Sequence, residues 1–142
     1  MDEALKQRLQ VLQGMFSTAT GGFDAVLAGL EVLEADAGKA RMRIVVARPL
    51  QNMGGKLHGG AIATLVDDAG TIAIMTADRD GRPGVTTDLN VSYFSAGRAD
   101  EAVLVEATVL KAGKTMAYVS VDLRREKDGA LIAQGRMTKF MA

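Results

Sequence analysis

Residues 51–70 read QNMGGKLHGGAIATLVDDAG, and the fold turns on how this stretch is read. It holds the one histidine of the chain, His58, followed by Gly59-Gly60 and a long apolar pattern. Ile62, Leu65, Val66, Ala69, Ile72, Ala73 and Thr76 recur at helical spacing, which predicts a helix from about Gly59 to Ala77. Gly60, Ala63, Asp67, Gly70 and Ile74 form a second stripe, mostly of small residues. A helix apolar almost all round has to be enclosed, and the small stripe is expected to face a partner subunit or a ligand tunnel. Asp67 interrupts this pattern near mid-helix, where a carboxylate is costly to bury unless it is paired or hydrogen-bonded. Asp68, one residue round, reads as a solvated or salt-bridged charge. The glycine pair removes side chains from the helix start, so a ligand can approach the first backbone N–H groups. An open helix N-terminus with a carboxylate two turns on suits acyl chemistry.

Outward from this helix the periodicity changes. Leu5, Leu9, Val11, Leu12 and Phe16 predict a short amphipathic helix over residues 3–16, and Phe23 to Leu27 a further helical turn. Strands are expected near Leu30–Ala35 and Ala40–Ala47, joined by a hairpin at Asp36-Ala37-Gly38-Lys39. A loop over 48–57 leads into the long helix. After Asp78–Pro83 come four β segments, Gly84–Phe94, Glu101–Leu110, Thr115–Glu126 and Ala130–Met141, with turns at Ala112-Gly113 and Lys127-Asp128-Gly129. The simplest packing of these parts is α+β: a sheet of about six antiparallel strands wrapped around one long central helix. No repeat or linker divides the 142 residues, so one domain over 1–142 is expected, with 1–28 as an N-terminal helical segment.

Composition excludes several function classes. Seventeen basic and seventeen acidic residues cancel, so no global field favours nucleic acid or an anionic membrane surface. Zero cysteines exclude disulfides, thiolate catalysis and thiolate metal sites, and a single histidine excludes a multi-histidine centre within one chain. No metal or redox cofactor is expected. No apolar run is expected to reach the length needed to span a bilayer, so no stable membrane insertion is expected. The acidic start MDEALKQRLQ has no secretory pattern, which makes the cytoplasm the default location and the mitochondrion its alternative.

Four blocks in order carry a family resemblance: Asn52 with LHGGAIATLVD at 57–67, PGVTTDLNVSYFSA at 83–96, VLKAGKT at 109–115 and LIAQGRMTK at 131–139. In these the chain resembles the PaaI-like branch of hotdog-fold acyl-CoA thioesterases over roughly residues 30–140. The resemblance implies that Asn52 helps hold the thioester carbonyl and that His58 supports the asparagine and the substrate. It further implies that the Gly59 N–H is an oxyanion donor and that Asp67 activates or orients water. Thr86 stands where the family has a serine; its hydroxyl keeps a water-positioning role, and its methyl group is expected to narrow the pocket or alter the rate. Asp88 and Asn90 share its parity along the strand and read as core-edge polar groups. The loop before Pro83 is one residue longer than in the family.

The chemistry can also be argued from the residues. Thioester hydrolysis needs an attacking water, a group to take its proton and donors for the developing oxyanion. A positioned aspartate can be the base, typically worth on the order of 10²–10⁴ in rate. A helix N-terminal N–H is a fixed donor, and losing one such donor costs roughly 10²–10³ in kcat. Thiolate is a good leaving group, so a strong general acid is dispensable.

The expected activity is hydrolysis of acyl-CoA, medium- to long-chain fatty acyl, to free acid and CoA, the coenzyme entering as part of the substrate. An aryl-acyl-CoA substrate (phenylacetyl- or hydroxybenzoyl-type) keeps the fold and changes the pocket, and a non-catalytic acyl-CoA-binding module is a third reading. Substrate contacts are expected from Gly60, from Met53 as an adaptable apolar wall, and from Arg98, Lys111, Lys114 and Arg136 toward the CoA phosphates. The small-residue stripe and the edge of the 84–94 strand call for a homodimer, and pairing of dimers would give a tetramer. In the dimer the resemblance implies shared sites, with Asn52, His58 and Gly59 from one subunit and Asp67 and Thr86 from the other.

Overall fold

A computed structural model describes residues 3–17 and 22–141. The elements are α1 (Glu3–Gly14), a 3₁₀ turn (Gly22–Leu27), β1 (Glu31–Asp36), β2 (Lys39–Val45), a 3₁₀ turn (Arg48–Leu50), α2 (Gly59–Ala77), β3 (Val85–Tyr93), β4 (Ala102–Ala112), β5 (Met116–Arg125) and β6 (Leu131–Phe140). The strands form one antiparallel sheet in the order β1-β2-β4-β5-β6-β3, so β1 and β3 are its edges. The sheet curls around α2, as the hotdog layout requires. Leu65, Val66, Ala69, Ile72 and Ala73 are fully buried against Val105, Val121, Leu123 and Ile132 in a shared core.

The helix and strand expectations hold to within a few residues. On α1, Leu12 and Phe16 are buried and Leu9 packs against the core, but Val11 lies 73% exposed, off the apolar face. The Gln13 side chain ties α1 to the β1 edge, donating to the Leu30 carbonyl and accepting from the Val32 N–H at 2.8 Å. The β1–β2 hairpin closes on Ala37 and Gly38, both at positive φ, the geometry of a tight two-residue turn.

Three expectations need correction. Gly70 does not face a partner or a tunnel: a Cβ there would meet Met137 Cε at 2.6 Å and Val119 Cγ1 at 2.9 Å, so the missing side chain lets α2 settle onto its own sheet. Ile74 is likewise core, which leaves Gly60 and Ala63 as the less buried part of that stripe. The second correction concerns α2 itself, whose 19 residues and mean hydropathy of 1.2 suffice to cross a membrane by length and composition. Half of that span is buried inside the protein, the position of a core helix.

The third lies in β3. Even spacing from Thr86 would put Asp88 and Asn90 on the same face, at the edge of the core. Instead the β3–β6 register slips between Thr86 and Asp88. This bulge reverses the phase: Leu89 and Val91 pack on the core while Asp88 and Asn90 are exposed. Of Thr86, Asp88 and Asn90, Thr86 is thereby the one aimed inward. Its approach is set by Gly84, at φ +67°, where a Cβ would strike Met141 Sδ at 2.7 Å and the Phe140 carbonyl at 2.9 Å.

Candidate active site

The first half of the site is a loop and a helix start. Asn52 Oδ1 accepts the N–H groups of Gly54 at 2.9 Å and Lys56 at 3.1 Å, and its own N–H bonds the Lys56 carbonyl at 2.8 Å. Two backbone donors on Oδ1 fix the amide orientation, so Nδ2 is the end left to donate. The loop returns to the fold through Leu57 N–H to the Gly97 carbonyl and His58 N–H to the Leu50 carbonyl, both at 2.8 Å.

His58 is the N-cap of α2, its Nδ1 accepting the Gly60 N–H at 2.7 Å. A neutral ring that accepts at Nδ1 carries its proton on Nε2, which makes the exposed end a donor. Gly60 is needed for this cap, because a Cβ there would sit 3.0 Å from Nδ1. With Gly60 capped, the Gly59 N–H finds no acceptor among the described residues, an orphan donor at the positive end of a 19-residue helix. The Gly59 carbonyl accepts from the Tyr93 hydroxyl at 2.9 Å.

The second half lies further along α2. Asp67 is half-buried, and its Oδ1 accepts the Thr86 hydroxyl at 2.8 Å. Asp67 and Thr86 are thus brought together within one chain, as are Asn52, His58, Gly59 and Gly60, but the two groups are kept apart. Eight residues of helix separate Gly59 from Asp67, about 12 Å of axis. Tyr93 and Thr86 mark opposite ends of β3, roughly 23 Å apart.

The proposed phosphate ligands are scattered. Arg98 forms a β-bridge with Lys56 beside the Asn52 loop, while Lys111 and Lys114 lie at the far end of β4. Arg136 is exposed on β6 opposite Asn90, in the outward phase. Met53 is fully exposed. A cleft of about 240 Å³ does open beside His58, lined by Phe23, Pro49, Leu50, Ala61 and Thr64.

Sequence reasoning missed Tyr93, Lys139 and the true setting of Asp68. Asp68 is neither solvated nor salt-bridged: its Oδ2 is buried without a hydrogen bond, and the Asp24 carboxyl lies in hydrogen-bond contact. Burial first, then Asp24, then the charge of Asp67 push the Asp68 carboxyl up to about 8, with Lys139 opposing. The folded state therefore holds a proton that the unfolded chain releases near its ordinary value of 3.8. Its contribution to stability is full below that value and is lost as pH rises toward 8. Asp68→Asn is thus expected to be more stable than the parent at pH 8 by roughly 1–3 kcal/mol, less than full linkage because solvent reaches part of the group. Urea unfolding at pH 5 and pH 8 checks this: the gain must widen with pH, and a constant or shrinking gain contradicts it.

Known proteins share this fold and sequence pattern. The thioesterase superfamily pattern matches residues 54–132. Acyl-coenzyme A thioesterase 13 of Mus musculus is 42% identical over 132 residues, spanning 93% of this chain and 92% of its own. The crystal structure of zebra fish thioesterase superfamily member 2 superposes with a TM-score of 0.91 at 44% identity, over 97% of this chain and 98% of that one. A point mutant of the phenylacetic acid degradation protein PaaI from Thermus thermophilus gives a TM-score of 0.75 at 27% identity, over 85% of this chain and 99% of that one. With its hotdog sheet around α2 and its HGG helix start, the chain belongs to the thioesterase superfamily.

Proposed function

We propose that the protein hydrolyses acyl-CoA thioesters, with fatty acyl chains as substrates, in sites shared by two subunits. The observation that carries this is the Asp67–Thr86 pair, a carboxylate held ready on a helix whose N-terminus presents an unused N–H. Asp67 takes a proton from water, oriented with the help of the Thr86 hydroxyl, as the water oxygen attacks the thioester carbonyl carbon. The developing oxyanion receives the Gly59 N–H and the Asn52 Nδ2 donor, while His58 holds the helix start in place. Collapse expels the CoA thiolate, and the proton held by Asp67 returns to sulfur.

The separation of the two halves supports a two-chain site. A thioester carbon within about 3–3.5 Å of its attacking water cannot also reach an oxyanion donor some 12 Å away along the same helix. β3 is an edge strand with open backbone groups, and antiparallel two-fold pairing would set its Tyr93 end against the Thr86 end of a second β3. The Gly59 donor of one chain then faces the partner's Asp67. The same operation gathers Arg98 of one chain with Lys111 and Lys114 of the partner subunit, a cationic rim suited to CoA phosphates.

The cleft beside His58 favours an apolar acyl group, with Phe23 as a side wall. Likeness to the phenylacetic acid degradation protein supports aryl-acyl thioesters as the second reading. Thiol release measured across acyl-CoA chain lengths and phenylacetyl-CoA decides between them. Turnover rising with chain length supports the first, a preference for the aryl ester the second, and no release from any of them overturns the hydrolase reading.

A further inference from the structure

Beside the Asp67–Thr86 pair lies a lysine that none of these roles uses. Lys139 stands opposite Thr86 in the β3–β6 ladder, in phase with Gly135 and Met137, whose positions face α2. Only 6% of its surface is exposed. Facing inward, it is out of reach of a phosphate in solvent. Among the described residues no carboxylate makes a contact ion pair with it, yet both Asp67 and Asp68 act on its charge through space, against the effect of burial. A buried ammonium persists only where opposite charge compensates it.

Two carboxylates are near enough, and the structure distinguishes them. Asp68 has a buried oxygen without a donor and a second carboxyl, that of Asp24, in contact. Burial holds the proton on Asp68, with the Asp24 carboxyl adding to the effect. Asp67 receives a hydroxyl donor instead, the partner a carboxylate wants. We propose that Lys139 is the counter-cation of Asp67, a positioning residue that pairs its charge with the water-activating carboxylate. The groups facing Asp67 are then Thr86 from β3, Lys139 from β6, Asp68 from its own helix and, through Asp68, Asp24 from the 3₁₀ turn.

The inference rests on Asp67 as base, and its test separates the two. The pH profile of kcat/KM is measured for the parent, Lys139→Met, Lys139→Arg and Asp68→Asn. Loss of the cation is expected to move the acid limb of Lys139→Met to higher pH. Lys139→Arg restores the limb, and Asp68→Asn leaves it in place. An acid limb unmoved in Lys139→Met overturns the proposal. A second measurement needs neither hydrolysis nor a change at Lys139: NMR titration of the Lys139 ammonium in the parent and in Asp67→Asn. Reciprocity requires its midpoint to fall when the Asp67 charge is removed, and an unchanged midpoint overturns the proposal even if Lys139→Met fails to fold. A parent without thioesterase activity sinks the hydrolase reading while this titration still decides the pairing.

Discussion

Asp67→Asn is expected to lower kcat by roughly 10²–10⁴ while leaving the circular dichroism spectrum and the acyl-CoA affinity close to those of the parent. The substitution is nearly isosteric, and the amide oxygen can still accept the Thr86 hydroxyl that now reaches Asp67 at 2.8 Å. What it removes is proton acceptance. Asp67 is half-buried and its amide replacement keeps the shape, but the Lys139 ammonium loses a compensating charge, so a lower melting temperature accompanies the loss of turnover. Steady-state kinetics below the melting transition check this. A variant that keeps parental kcat removes Asp67 from the mechanism, and one already unfolded at the assay temperature gives it a structural role.

Asn52→Asp is expected to cost about 10²–10³ in kcat with a smaller change in KM. Aspartate keeps an Oδ1 for the Gly54 and Lys56 N–H groups, so the loop is retained while the Nδ2 donor is replaced by an acceptor. Asn52→Ala would release the loop as well and confuse the two effects. Mixing Asn52→Asp and Asp67→Asn chains under subunit exchange then tests the shared site. In a mixed dimer one site carries both lesions and the other none, so equal mixing should return about a quarter of parental activity. Exchange that is complete by mass spectrometry yet restores nothing would show that each chain works alone.

Much of this was legible before any coordinates. The limits of α2 follow from the glycine pair and the apolar period, and Asp67 stands out because nothing else charged interrupts the helix except its neighbour. The resemblance put Asp67 and Thr86 in one subunit; that the Thr86 hydroxyl donates to Asp67 was not legible from it. The phase of β3 was not legible, because a bulge adds a residue without changing composition, and every position beyond it then reads on the wrong face. Asp68 was misjudged for a related reason. Its surroundings come from Asp24 and Lys139, distant in sequence, and a helical wheel shows only the helix. Lys139 did leave a signal: it shares the phase of Gly135 and Met137 on β6, while Phe140 takes the outward phase. Two-residue alternation therefore places the lysine inside, against the habit of its residue type.

The hydrogen bond from Tyr93 to the Gly59 carbonyl fastens the last residue of the edge strand to the first turn of α2. That strand end is the part of β3 a second copy would steady, and the peptide plane it grips adjoins the Gly59 N–H. In the proposed pair, association would do more than complete a set of residues: it would also stiffen the donor proposed to receive the oxyanion. Mass action would then apply. On this reading turnover per chain is expected to fall on dilution below the dissociation constant of the pair, so abundance itself would set a threshold for activity.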